Sequence, residues 1–284
     1  SSSARGKTMT KAIGFMQGRL SPPVNGKIQA FPWAHWQAEF ATAQANSFGL
    51  MEWTLDQERL YENPLMTTAG REEIRALMQR HNVQVLSLTG DCFMQTPFYK
   101  VGGATRKALL VDFGHVVAAC ADTGIRYVVV PLVDNGHLEN TEQEEALIAG
   151  LKQIEPQIRG GMKIIFESDF PPARLRGFID RLPEQRYGIN YDIGNSAALG
   201  FDAGEEIAAY GARIDNVHVK DRVLGGTTVP LGSGNADFPA VFRALKQTGY
   251  RGHFILQTAR AADGDHAGAL RRYRDMVMNW LRTA

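Results

Sequence analysis

A closed (β/α)8 barrel is the fold that this sequence predicts, and three observations predict it. Short runs rich in β-branched and apolar residues recur eight times, each followed by a helix-length amphipathic stretch. The runs are apolar almost throughout, which marks a sheet covered on both faces and hence parallel strands joined by helical crossovers. A chain of 284 residues accommodates eight such units in one domain. A doubly wound sheet is the rival, but the turn after the first run reads MQGRLSPP and carries no G-x-G-x-x-G phosphate loop.

The units follow in order. AIGFM (12–16) precedes the helical stretch HWQAEFATAQANS (35–47), and LMEWT (50–54) precedes AGREEIRALMQRH (69–81). VQVLSL (83–88) leads to RKALLVDFGHVVAACADTG (106–124), and RYVVV (126–130) to NTEQEEALIAGLKQIEPQI (140–158). KIIFE (163–167), GINYD (188–192) and NVHVK (216–220) are followed by ARLRGFIDRL (173–182), AGEEIAAYGAR (203–213) and FPAVFRALKQTG (238–249). The last run, HFILQ (253–257), is closed by HAGALRRYRDMVMNWLR (266–282). Apolar residues at helical spacing with charges between them make these helices half-buried covers of the sheet. The opening SSSARGKTMT has no apolar core of the kind a secretory signal needs. Residues 1–11 therefore read as a disordered leader or cloning remnant, and 12–284 as a single barrel domain.

Composition excludes several classes of function. With 31 basic and 30 acidic residues the net charge is +1, so no global field draws nucleic acid or an anionic membrane. No window approaches the roughly 18 apolar residues of a membrane span. Cys92 and Cys120 lack paired spacing and fit a reducing, cytoplasmic location. His81 and His115 fall on helices and read as structural.

In such a barrel the chemistry sits at the carboxyl ends of the strands. The fifth run ends at Glu167, the sixth at Asp192, the seventh carries His218 and the eighth ends at Gln257. Taken singly, a strand histidine is commonly a core residue and a terminal aspartate a loop cap. Together at successive strand ends they form a hard-to-borderline ligand set for one divalent ion, Mn²⁺, Mg²⁺, Fe²⁺ or Co²⁺, with Zn²⁺ also compatible. Gln17 and Arg19 lie just past the first run, where both can face a pocket. Pro22 and Pro23 stiffen the loop that follows. Phe31 and Trp33 offer an apolar wall to such a pocket, whereas Trp36 reads as the start of a buried helix face.

The segments FESD, YDIGNS, NVHVKDR and LGSGNADF…TGYRGHFILQ resemble the xylose isomerase-like TIM-barrel superfamily, from about Ala12 to the last helix. Its members include sugar and sugar-phosphate isomerases and epimerases, inosose-processing enzymes and the endonuclease IV group. The resemblance implies that Glu167, Asp192, His218 and Gln257 hold the metal, Mn²⁺ first, and that Glu167 is the catalytic base. In the ketose 3-epimerases of this superfamily the first and last ligands are both glutamates, acting on opposite faces of the carbon beside the carbonyl. An amide at 257 still coordinates a cation but takes up no proton near neutral pH. One-base chemistry is thereby implied, either same-face aldose–ketose isomerisation or β-elimination. Epimerisation needs a second proton donor, for which Glu52, Asp91 and His137 are the candidates. Lys220 and Arg222 are placed to hold substrate oxygens or a phosphate, with pairing to Asp221 as the alternative for Lys220. Asn195 lies near the substrate or else serves as a turn residue.

The expected function is a divalent-metal-dependent isomerase or epimerase of a sugar, sugar phosphate or keto-polyol. The nearest alternative is a metal-dependent lyase or dehydratase of a keto sugar or inosose. A non-catalytic carbohydrate-binding barrel stands behind these. An endonuclease IV-like phosphodiesterase is disfavoured, because a trinuclear zinc site needs more ligands than seven histidines spread along this chain supply. The expected partner is a small carbohydrate, with no nucleic acid and no membrane, and a homo-oligomer is compatible with the sequence.

Overall fold

The computed structural model describes Gly6 and residues 11–284, so the expected leader lies outside the described residues except at Gly6 and Lys11. Eight parallel strands close a barrel, β1 (Ile13–Met16), β2 (Leu50–Thr54), β3 (Gln84–Thr89), β4 (Tyr127–Leu132), β5 (Lys163–Ser168), β6 (Tyr187–Asp192), β7 (Ile214–Val219) and β10 (His253–Leu256). The ring runs β1-β10-β7-β6-β5-β4-β3-β2 and returns to β1. A two-stranded antiparallel ribbon, β8 (Asp221–Arg222) and β9 (Thr228–Val229), stands between β7 and the next helix. All eight apolar runs fall on barrel strands, as the covered-sheet pattern requires.

The main core lies between this barrel and its helices. It takes in Phe40 of α1 (Trp36–Ala45), Ile74 of α2 (Thr68–His81) and Phe113 of α4 (Gly103–Thr123). Leu151 of α5 (Thr141–Ile154), Phe178 of α6 (Pro172–Ile179) and Phe242 of α9 (Phe238–Gln247) continue it, and Val277 of α10 (His266–Thr283) closes it. Inside the barrel a separate small apolar layer forms a floor from Met16, Leu50 and Ile255, with Leu86 against it. Because side chains alternate along a strand, the next inward positions above Leu50 and Ile255 are Glu52 and Gln257. The floor is thus apolar, and Glu52 and Gln257 stand above it.

Three local elements depart from the pattern read in the sequence. A short helix α3 (Asp91–Gln95) follows β3, a second, α7 (Ile193–Leu199), follows β6 ahead of α8 (Ala203–Tyr210), and the β8–β9 ribbon follows β7. α7 starts on Asp192, whose side chain accepts a hydrogen bond from Asn195 N at 2.9 Å and so acts as its N-cap. Its middle is tied down by Glu206 of α8, which accepts from Ser196 Oγ (2.6 Å) as well as from Tyr191 Oη (2.9 Å) and Tyr210 Oη (3.0 Å). α7 sits so close to the end of β7 that a Cβ on Gly194 would lie 2.9 Å from the carbonyl carbon and oxygen of Lys220. Only glycine allows that approach.

Gly194→Ala is therefore expected to push α7 off β7, at a cost of roughly 1–3 kcal/mol from overpacking. Chemical denaturation checks the stability, and an unchanged midpoint would show that the helix has room to move.

Candidate active site

Glu167, Asp192 and His218 are all buried, and one ligand atom from each lies within 4.8 Å of the others. β5, β6 and β7 are neighbours in the barrel, and Asp192 is in register with His218. Gln257 follows β10 and extends its pairing, since its backbone N–H donates to Val219 O at 3.0 Å. The four residues thus come from successive strand ends. Glu167 and Gln257 line a cavity of about 550 Å³ at the carboxyl end of the barrel, together with Arg19, Asp91, Asn195 and Lys220.

Beneath the cluster lies a sealed polar layer. Glu52 is fully buried and accepts hydrogen bonds from Ser87 Oγ (2.6 Å), Thr89 Oγ1 and Asn216 Nδ2 (3.0 Å). Its Oε1 stands 2.6 Å from His218 Nε2. β2 and β7 are not neighbours in the ring, so this contact crosses the barrel interior. Burial alone would raise the Glu52 carboxyl, but His218 and the hydroxyl donors hold it below the usual carboxylate range. With Nε2 committed to Glu52, Nδ1 is the nitrogen turned to the cluster, 4.0 Å from Asp192 Oδ2 and 3.2 Å from Asn190 Nδ2. A carboxylate behind an imidazole fixes ring orientation and tautomer in the way metal-bound histidines are held.

The first wall of the cavity is ordered by an amide. Asn195 Oδ1 accepts from Arg222 Nη1 (2.8 Å) and Lys220 Nζ (3.3 Å), both of which can only donate. The Asn195 amide must therefore turn Nδ2 the other way, and that nitrogen donates to Glu167 Oε1 at 2.9 Å. Lys220 Nζ is also 3.0 Å from Asp192 Oδ2. Burial pushes the Glu167 carboxyl well up, and the neighbouring Asp192 charge adds to this. Burial would also raise Asp192, but Lys220, Glu167 and the Asn195 N–H hold it at about 2. Of this pair, Glu167 has the higher proton affinity.

The opposite wall is ordered in the same way. Gln257 Nε2 donates to Gln29 Oε1 at 2.7 Å, and Gln29 Nε2 donates to Asp91 Oδ2 at 2.7 Å. Arg19 Nη2 lies 3.5 Å from the same Gln29 Oε1, while its other nitrogens hold the carbonyls of Thr258 (2.9 Å) and Ile28 (2.7 Å). Burial raises the Asp91 carboxyl to about 6, helped by Asp56 and opposed by the Gln29 hydrogen bond. Burial, with Arg260 nearby, lowers Arg19 to about 9. The loop that carries Arg19 is held by buried Glu39, which accepts from Gly18 N and Leu20 N.

The structure moves several residues from where the sequence places them. Gln17, expected to face the pocket, is buried against β2, where its Oε1 accepts from Thr54 N at 3.0 Å. Glu52, a candidate for contact with substrate, lies in the sealed layer under His218. His137 sits beside Asp169, 2.7 Å from its Oδ1, and is not among the residues lining the cavity. Lys220 pairs with Asp192 and not with Asp221, whose carboxylate instead accepts from Gly232 N (2.8 Å), Gly234 N (2.9 Å) and Ala236 N (3.2 Å). Trp33 carries the Arg59 guanidinium on its ring at 3.9 Å, and Trp36 packs against Trp53 in the core. Asn195 is both a cap partner of Asp192 and a cavity residue, so the two readings of it combine. Sequence reasoning misses Gln29, Asn190 and Asn216. Gln29 lies in a loop without periodicity, whereas the two asparagines sit at inward positions of β6 and β7 that the strand alternation would have flagged.

A family model described as xylose isomerase-like TIM barrel matches residues 40–283. The chain belongs to the xylose isomerase-like TIM barrel family. An L-ribulose-5-phosphate 3-epimerase of Escherichia coli is 27% identical over 252 residues, covering 85% of this chain and 88% of that protein. Among solved structures, a 3-keto-D-glucoside 4-epimerase of E. coli aligns with a TM-score of 0.67 at 19% identity, over 96% of this chain and 99% of that one. A family member from Mycobacterium smegmatis, solved in complex with magnesium, aligns with a TM-score of 0.71 at 16% identity, over 98% and 99%. Like its epimerase relatives, this chain is an enzyme. No helix among the described residues is long and apolar enough to cross a membrane.

Glu52→Gln tests the sealed layer. The new amide would set a donor against donors already aimed at position 52, and the expected loss is about 1–3 kcal/mol. Thermal and urea unfolding measure it, and a stability equal to the parent's would mean that the layer is not fixed by the carboxylate.

Proposed function

We propose that the chain is a divalent-metal-dependent epimerase acting on a ketose or ketose phosphate, with Glu167 as the base that attacks the C–H bond beside the carbonyl. The observation that carries this reading is the buried cluster of Glu167, Asp192 and His218 at the base of a sugar-sized cavity. The relative that matches over most of its length is a sugar-phosphate 3-epimerase, which supports the reaction class.

The residues present fit a cation. Gln257 Oε1 is a buried oxygen without a hydrogen bond among the described residues, an arrangement that is costly unless something positive meets it, and Asp192 Oδ2 beside it meets Lys220. Glu167, Asp192, His218 through Nδ1, and Gln257 through Oε1 would hold it. This mix of oxygen donors and one imidazole suits Mn²⁺ first, and also Mg²⁺, Co²⁺, Fe²⁺ or Zn²⁺. When bound, such an ion draws both carboxyls to their ionised forms and stabilises the negative charge of an enediolate.

The chain's own groups do the rest. Asn195 Nδ2 holds Glu167 Oε1, so the carboxylate meets the substrate in one orientation. Lys220, beside the cluster, supplies positive charge for the sugar oxygens, and Lys27 at the cavity edge is a free cation for a phosphate, without a side-chain partner among the described residues. Glu167 takes the proton, the C–H electron pair passes into the enediolate, and return of a proton to the other face gives the epimer.

Protein purified without chelators is expected to carry a divalent ion by elemental analysis, and His218→Ala to lose most of it. Unchanged metal content in that variant would remove His218 from the site. Glu167→Gln keeps shape and a ligand oxygen but removes the base. The expected loss of turnover on a ketose panel that includes L-ribulose 5-phosphate is on the order of 10²–10⁴-fold, with the fold intact by circular dichroism. Activity within a few-fold of the parent would assign the base elsewhere.

A further inference from the structure

Epimerisation through an enediolate needs proton transfer on both faces of one carbon, and Gln257 supplies none of it. Of the three acidic or basic groups that are candidates for the second face, Glu52 is sealed under His218 and His137 is held by Asp169 away from the cavity. Asp91 lines the cavity, on the wall opposite the Asn195 network that holds Glu167.

The hydrogen-bond directions on that wall decide which Asp91 oxygen is available. Gln257 is an amide and donates through Nε2, so Gln29 must receive with Oε1, and Arg19 faces the same oxygen. Gln29 is then obliged to donate to Asp91 Oδ2. That oxygen is an acceptor, so a proton on this carboxyl belongs on Oδ1, which has no hydrogen-bond partner among the described residues. A carboxyl that burial holds near neutrality is suited to give and take such a proton.

We infer that Asp91 is the second acid–base group, and that Gln257 acts through Gln29 to keep the Asp91 Oδ1 proton directed at the substrate carbon. This rests on the epimerase reading above. In the forward step Glu167 takes the proton from the carbon beside the carbonyl and the electron pair moves into the enediolate. Asp91 Oδ1–H then protonates the same carbon on the opposite face, the carbonyl re-forms, and Asp91 is left as the carboxylate. Exchange of one proton with solvent at each carboxyl resets the pair. The same geometry explains why a carboxylate at 257 would not simply add a base. Having no donor, it would turn the Gln29 amide over, and Gln29 Oε1, now facing Asp91 Oδ2, would draw the Asp91 proton onto Oδ2 and away from the substrate.

The test uses the metal-loaded full chain and a ketose panel including L-ribulose 5-phosphate in D₂O, with deuterium uptake and stereochemistry followed by NMR. Asp91→Asn is expected to keep deuterium exchange within a few-fold, because Glu167 still works on its own face, while epimer formation falls on the order of 10²–10⁴-fold. Gln257→Glu alone is expected to slow epimerisation by up to about 10²-fold, the scale of a misplaced catalytic group. Combined with Asp91→Asn it is expected to recover epimerisation relative to Asp91→Asn alone, since the new amide at 91 can donate to Gln29 and the new carboxylate at 257 supplies the second face. Such a sign change in the double-mutant cycle is not produced by a purely structural role. Epimerisation by Asp91→Asn within a few-fold of the parent overturns the inference. Equal loss of exchange and epimerisation in that variant also overturns it, because Asp91 then serves binding. A parent that neither exchanges nor epimerises any ketose overturns the epimerase reading, and the inference with it.

Discussion

The contact on which the site depends is the one between Glu52 and His218 across the middle of the barrel. A carboxylate with no solvent exposure is costly to bury, and here the cost is met by two hydroxyls, an asparagine amide and the imidazole. Those donors come from β3 and β7, so the contact also ties non-adjacent staves together above the apolar floor of Met16, Leu50 and Ile255. Its directional effect is larger than its net energy. By engaging Nε2 it leaves Nδ1 as the only imidazole nitrogen for the cluster, and the position of the other ligands follows from strand register.

Above that layer the two walls use the same device. A cation that can only donate fixes the oxygen of a carboxamide, and the amide nitrogen is thereby aimed at a carboxylate. Arg222 and Lys220 do this to Asn195, which points at Glu167. Arg19, with Gln257 as a second donor, does it to Gln29, which points at Asp91. Neutral amides pass on orientation without adding charge, so two carboxyls face one cavity with different proton affinities.

The barrel is legible in the sequence because parallel strands covered on both faces must be apolar throughout, and all eight runs obey that rule. The Glu167, Asp192 and His218 cluster is legible because polar residues at the ends of such runs have few structural uses. Glu52 misleads because it stands inside an apolar run whose end is Thr54. Two residues of pleat separate it from the rim, enough to move it from the cavity into the sealed layer. His137 and Gln17 mislead for a related reason, since a loop residue just past a strand can turn to either side and composition does not say which. α7 reads as a turn because Gly194 and Asn195 are poor helix formers, and its helix exists through the Asp192 cap and the Glu206 anchor. Gln29 carries no signal at all; its position follows only from what it joins.

The Asp221 carboxylate gathers three backbone N–H groups from the segment 232–236, and Arg222 clasps the Gly226 carbonyl from the same root. The chain between them, residues 223–231, returns to the barrel at a point held by main-chain bonds rather than by its own side chains. Leu224 at its tip is largely exposed, and Thr227 and Thr228 border the cavity. Such a segment can exchange side chains at little cost to the barrel, because its two ends are fixed by the main chain, and the part of the cavity that Thr227 and Thr228 border is the part such exchanges would reshape.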